Sequence, residues 1–223
     1  MSRKFDATHE RIIQAARKHF LENGYPKASL RDLCKEADVT TGAFYRHFKS
    51  KAELFALIVS PAVNLYFEGY NELEKEYSVQ NITLENARSV ILGFSLRLRN
   101  HILKCLYKYF DEYKLLIYKS QGTEFESFSH DVWKLEKNRI QSLMNQLINL
   151  GAKLRPMAEE EIHMITASMY QGLNEIILNN YPLDESINYV SSLFDFFVLG
   201  WASFAITPID EAKLPTLSDF EDK

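Results

Sequence analysis

The stretch Lys27-Ala28-Ser29-Leu30-Arg31-Asp32-Leu33-Cys34-Lys35-Glu36-Ala37-Asp38-Val39-Thr40-Thr41-Gly42-Ala43-Phe44-Tyr45-Arg46-His47-Phe48-Lys49-Ser50-Lys51-Ala52-Glu53-Leu54 reads as two short helices joined by a tight turn, with a third helix leading away. Ser29 followed by Asp32 is a near version of the capping box that satisfies orphan N–H groups at a helix start. Leu30, Leu33 and Ala37 then fall on one face at helical spacing. Asp38 tolerates turn conformations and can end this helix, Val39 can plug the corner, and Thr40 caps the next helix. That second helix carries Thr41, Gly42, Tyr45 and His47, with Phe44 and Phe48 as its bulky apolar residues. Small and hydrogen-bonding side chains at a helix N-terminus suit a helix that meets base edges and phosphates in the major groove. Ser50 with Glu53 is a full capping box for the third helix. Lys51 in its first turn opposes the helix dipole, and a nearby phosphate would justify it.

Working outward, the segment resembles the DNA-binding domain of the TetR family of transcriptional regulators. Thr8, Ile12, Ala15, Ala16, Phe20, Gly24 and Tyr25 fit that family's first helix, and Gly42, Tyr45, His47-Phe48, Lys51 and Leu54 fall at its spacings. Leu33-Cys34 replaces the commoner Ile-Ala, and Asp38 stands where glycine is usual. The resemblance implies a three-helix head that contacts double-stranded operator DNA through Ser29, Thr40, Thr41, Gly42, Ala43, Phe44, Tyr45, His47 and Lys51. It assigns Tyr45, His47 and Lys51 to phosphates, and Thr41, Gly42 and Ala43 to bases. For Phe44, core packing is an equal alternative.

Charge supports the same division. Lysines and arginines outnumber acids up to Phe55, whereas the whole chain is formally −4, so the rest is strongly acidic. A basic head on an acidic body is the footprint of a nucleic-acid reader. With 46% hydrophobic and 13% aromatic residues the chain is not disordered, and its long stretches of helical periodicity with few β-branched alternations predict an all-α protein. We divide it into a head at 1–55, a helical effector-binding and dimerisation body at 56–210, and an acidic tail at 211–223. The polar Met1–Glu10 does not read as a signal peptide, and the most apolar window, Leu193–Ile206, is too short to span a bilayer. Cys34 and Cys105 lie far apart and read as reduced thiols, which fits a cytoplasmic setting.

Beyond the head, the caps predict a helix from Ser50 to about Tyr77 kinked at Pro61. They predict another from Thr83 to Asn100, a segment from His101 to Lys119, and a long helix opened by Thr123 and Glu126 and stopped at Gly151. Two more follow, one led by Glu159-Glu160-Glu161 and one capped by Asp184 and ending before Pro208. The last helix carries Ile187, Val190, Phe194, Phe197, Trp201 and Phe204 in one apolar row, and Tyr189, Leu193, Phe196 and Gly200 in a second. A helix apolar on two sides is buried on two sides, and we expect the first row at a homodimer interface, with Gly172 and Gly200 permitting close approach. The resemblance implies the same, because TetR-like proteins commonly dimerise through their last two long helices.

The body also offers aromatic walls and polar points suited to a small-molecule pocket: Phe94, Leu98, His101, Phe110, Tyr113, Trp133, Tyr170 and Asn174. Most aromatic residues at helical spacing are simply core. A regulator released from a partly palindromic operator by such an effector is therefore expected, the alternative being a TetR-like protein without one, acting constitutively or through a protein partner. Catalysis finds little: there is no glycine-rich phosphate loop, no paired metal-type cysteines and no nucleophile elbow, so we expect no enzyme, no cofactor and no metal. Glu159, Glu160 and His163 could hold a metal by spacing, but an acidic first turn more often complements the helix dipole.

Overall fold

A computed structural model of the chain describes residues 3–206, with side chains up to Trp201. The described residues form nine α-helices and no strand: α1 (Arg3–Lys27), α2 (Leu30–Glu36), α3 (Thr41–Phe44), α4 (Lys51–Glu76), α5 (Ala87–Lys108), α6 (Phe110–Tyr118), α7 (Phe128–Asn149), α8 (Glu159–Asn179) and α9 (Leu183–Ile206), with a 3₁₀ turn at Val79–Asn81. The all-α expectation therefore holds. The acidic tail lies outside the described residues.

Three of the helix starts in the head follow from their caps. Ser29 Oγ accepts from Asp32 N (3.4 Å), Thr40 Oγ1 from Ala43 N (3.1 Å) and Ser50 Oγ from Glu53 N (3.0 Å). Helix α1 breaks at Gly24, whose φ of 75° only glycine adopts without cost, and this turns the chain into α2. Helix α4 runs from the head into the body, so the boundary at 55/56 falls inside a continuous helix. It passes through Pro61, an exposed residue, without a non-helical residue. One apolar core extends from Ile12 and Phe20 through Phe44, Phe55 and Tyr70 to Leu115, Ile177 and Phe194.

Three element boundaries differ from expectation. Thr83 Oγ1 accepts from Asn86 N in a turn, and α5 starts only at Ala87. Helix α5 continues past Asn100 to Lys108, and the His101 ring lies over Gly69 of α4, where a Cβ would stand 2.1 Å from His101 Cε1. The break falls instead at Tyr109, whose φ of −136° and ψ of 47° are not helical. Thr123 and Glu126 cap a turn rather than a helix. Thr123 Oγ1 accepts from Phe125 N and Glu126 from Gly122 N, and α7 starts only at Phe128.

Candidate nucleic-acid interface and interior cavity

Helices α2 and α3 meet at Asp38, which takes the left-handed φ of 50° where the resemblance would have glycine. The corner is closed by Val39 N donating to Cys34 O (2.9 Å). Beyond it, Thr41, Gly42 and Tyr45 are exposed and Ala43 and His47 half-buried, so the N-terminal turn of α3 presents a small, polar surface. A Cβ on Gly42 would meet only Thr40 Oγ1, at 3.9 Å, leaving the backbone open to close approach. Ser29 and Thr40 are exposed, with their hydroxyls engaged as caps. Phe44 is not at this surface. It is fully buried, its ring 5.6 Å from that of Phe48, and its place on the inner face of α3 makes it a core residue.

His47 stacks on Phe5 (ring centroids 4.1 Å) with His9 at 5.6 Å. Burial, reinforced by the charge of His9, pushes its pKa below the ordinary histidine value, so near neutral pH it offers a neutral ring rather than a cation. Lys51 has protein acceptors: Nζ donates to Tyr25 O (2.7 Å) and Ala28 O (3.0 Å), and sits 4.2 Å over the Tyr25 ring. These carbonyls lie around the end of α1, where a cation complements the helix dipole. Burial lowers its pKa, but a lysine ammonium has three protons, and two are used here.

The head is tied to the body a second time, at α6. Arg17 of α1 pairs with Glu112, which is only 7% exposed, and Tyr25 N donates to Lys119 O (2.9 Å).

Within the body a cavity of ≈ 40 Å³ is lined by residues of α4, α5, α6, α7 and α8. Four of the eight expected pocket residues line it: Tyr113, Trp133, Tyr170 and Asn174. The other four do not. Phe94 lies under the Arg139 guanidinium at 3.4 Å, Leu98 is core, and Phe110 packs beside Tyr107. His101 is spent on α4, its Nε2 3.0 Å from Tyr66 O. The remaining lining residues were not expected from the sequence, the aromatic ones among them being Tyr66 and Phe128. Tyr66 and Tyr70, four apart on α4, were the available signal.

On α9 the two apolar rows exchange roles. Val190 and Phe194, expected at a dimer interface, are buried within the chain's own core, and Phe197 and Trp201 are half-buried. Ile187 is exposed, while the side chain of Phe204 lies outside the described residues. On the side of α9 away from Val190 and Phe194 stand Tyr189, Phe196 (73% exposed) and Leu199 (64%), and Met164 of α8 is exposed as well (68%). A Cβ on Gly172 would stand 3.1 Å from Leu193 Cδ1 of the same chain, so its close approach is used internally. Among the described residues no group of three or more metal-type side chains converges. Glu159 pairs with Lys137, and Glu161 accepts from Ala158 N. No described helix is long and apolar enough to cross a membrane.

The arrangement defines a helix-turn-helix protein whose reading helix is carried on a helical body. Residues 12–58 match the family described as "Bacterial regulatory proteins, tetR family". Over 59 residues the chain is 39% identical to the HTH-type transcriptional regulator UidR of Escherichia coli, covering 26% of this chain but only 30% of UidR. An HTH-type transcriptional regulator of Staphylococcus aureus is 25% identical over 126 residues, 56% of this chain and 66% of that protein. Both are named as regulators rather than enzymes. The fold of the whole body is matched by solved structures. A TetR family member from Streptomyces coelicolor superposes with a TM-score of 0.59 at 17% identity, covering 85% of this chain and 90% of that one. SmeT, solved in complex with triclosan, superposes with a TM-score of 0.51 at 19% identity over 94% and 95%. The family match thus covers residues 12–58 alone, and the rest of the chain is similar to TetR-family structures in fold.

Proposed function

We propose that the protein is a homodimeric, cytoplasmic, sequence-specific DNA-binding regulator, and that it represses by occupying a partly palindromic operator from which a small molecule releases it. The observation that carries the DNA reading is the exposed first turn of α3, with Thr41, Gly42 and Tyr45 outward and Phe44 anchoring it from behind. Thr41, Gly42 and Ala43 approach base edges, while Tyr45, His47 and the third proton of Lys51 meet phosphates. Ser29 and Thr40 complete the contact set at the two helix N-termini. Exposed apolar side chains on the last two helices, Met164 of α8 and Phe196 and Leu199 of α9 among them, support dimerisation.

Release requires an effector that prefers the conformation in which the two heads are wrongly spaced. Both α4 and the α1–α6 tie would transmit it, since each joins head to body. The cavity supports this reading, as does the fact that SmeT, with a body of similar fold, is described with triclosan bound. A second reading, regulation without an effector, is favoured by the small size of the cavity beside the roughly 300–1,000 Å³ of drug-sized sites. Selection of bound duplexes from a random library tests the assignment. A partly palindromic winner is expected. Retention without sequence preference would reduce the head to a non-specific binder.

A further inference from the structure

The wall of the interior cavity discriminates between kinds of ligand. Its carbon surface comes from residues such as Phe128, Trp133, Val132 and Leu173, and no aspartate, glutamate, lysine, arginine or histidine lines it. The buried carboxylates of the body are already engaged elsewhere. Glu136 accepts from Tyr70 Oη (2.7 Å), and Glu112 is paired with Arg17. The Cys105 thiol in the lining stays protonated, burial pushing its pKa up to about 11. An ionised ligand would therefore lose its hydration and gain no counter-charge.

The cavity is not indifferent to polar groups, however. Tyr66 and Tyr170, only 4% and 6% exposed, both line it, and their hydroxyls bond one another at 3.1 Å. One hydroxyl donates to the other, so the accepting one keeps its own proton, for which the described residues supply no acceptor. A buried donor without a partner is costly, and a ligand oxygen would meet it. A hydrocarbon would leave it unmet.

We propose that the cavity takes a small, neutral, single-ring aromatic molecule carrying one oxygen acceptor, such as a phenol or an aryl ketone. The oxygen sits on the Tyr66–Tyr170 hydroxyl pair and the ring lies against Phe128 and Trp133. A volume of ≈ 40 Å³ limits the ligand to one ring. By the rule of about 10–15 Å³ per water, that space corresponds to only a few waters, so the side chains must yield slightly around it. This assignment deepens the effector reading and rests on it for the role of the cavity.

The test is calorimetric titration of the full-length protein at pH 7 with p-cresol, toluene, benzoate and benzylammonium. We expect p-cresol to bind about tenfold or more tightly than either ion, and about fivefold more tightly than toluene. Either single Tyr→Phe change leaves one hydroxyl able to donate, so the double variant Tyr66→Phe/Tyr170→Phe is the informative one. It should bind toluene as the parent does and lose the preference for p-cresol. Either ion binding as tightly as p-cresol, a preference that survives in the double variant, or no binding by any of the four overturns the proposal. The comparison of ions with p-cresol uses the parent protein and holds even if the double variant fails to fold. If p-cresol binds with this selectivity yet leaves affinity for the selected duplex unchanged, the ligand class stands and the effector reading falls.

Discussion

Asp38 is the departure from the TetR pattern that falls in the turn, and the structure gives that departure a cost. Its φ of 50° lies in the left-handed region, where a side chain is disfavoured. Its one ion pair, to Arg11 at 3.5 Å, is too exposed to compensate. Asp38→Gly should raise stability by about 0.5 kcal/mol, part of the relief being offset by the freer unfolded chain. Urea denaturation checks this, and a loss of stability would show that the Asp38 side chain carries more than its geometry suggests. Lys51 has two jobs of different kinds. Lys51→Ala should cost about 1 kcal/mol through the lost carbonyl contacts. It should also lower the salt slope of DNA binding by about 2 for a dimer, one phosphate per head. An unchanged slope would leave Lys51 purely structural. Its oddity in a helix first turn was legible in the sequence. Its acceptors, Tyr25 O and Ala28 O, were not, because only the folded head brings α1 and α4 together.

Between elements, the contact of α1 with α6 combines a buried carboxylate with a part-exposed arginine. Removing the arginine leaves Glu112 buried and unpaired, which costs more than the pair contributes. Arg17→Ala should therefore destabilise by about 2 kcal/mol, the partial exposure of Arg17 softening the full penalty. Arg17→Ala/Glu112→Gln should recover at least half of it in the same denaturation assay. A double variant no better than the single would mean that the carboxylate is not the source of the loss. Helix starts at Ser29, Thr40 and Ser50 could be read because caps are local chemistry. The packing of His101 over Gly69, thirty-two positions apart in sequence, could not, because only the folded body brings α4 and α5 together. The cavity was half legible for the same reason. Aromatic residues announce themselves, but which face of a helix turns inward is decided by its neighbours, and so Phe94 and His101 went to packing while Tyr66 went to the cavity.

For the whole molecule, the proposed dimer rests on the exposed apolar residues of α8 and α9, Phe196 and Leu199 foremost. Their existence followed from the two apolar rows of α9. Which row turned outward did not, because both have the same spacing, and packing against α5 and α8 chose Val190 and Phe194 for the interior. Phe196→Asp puts a charge at the most exposed aromatic position of this face. We expect a folded monomer at micromolar concentration in sedimentation velocity, and operator affinity reduced by about a hundredfold or more as the second head's contribution is lost. A dimer that persists would move the interface elsewhere.

The central claim is that two copies of α3, held by that interface, read successive turns of one DNA face, with half-sites about 34 Å apart. The measurement that tests it most directly is a fluorescence anisotropy titration of the selected duplex beside the same duplex with about five base pairs, half a helical turn, inserted at its centre. The insertion puts the half-sites on opposite faces, and the account predicts at least about a hundredfold weaker binding. Equal affinity for the two duplexes would mean that each head reads alone, and the paired reader proposed here would be wrong.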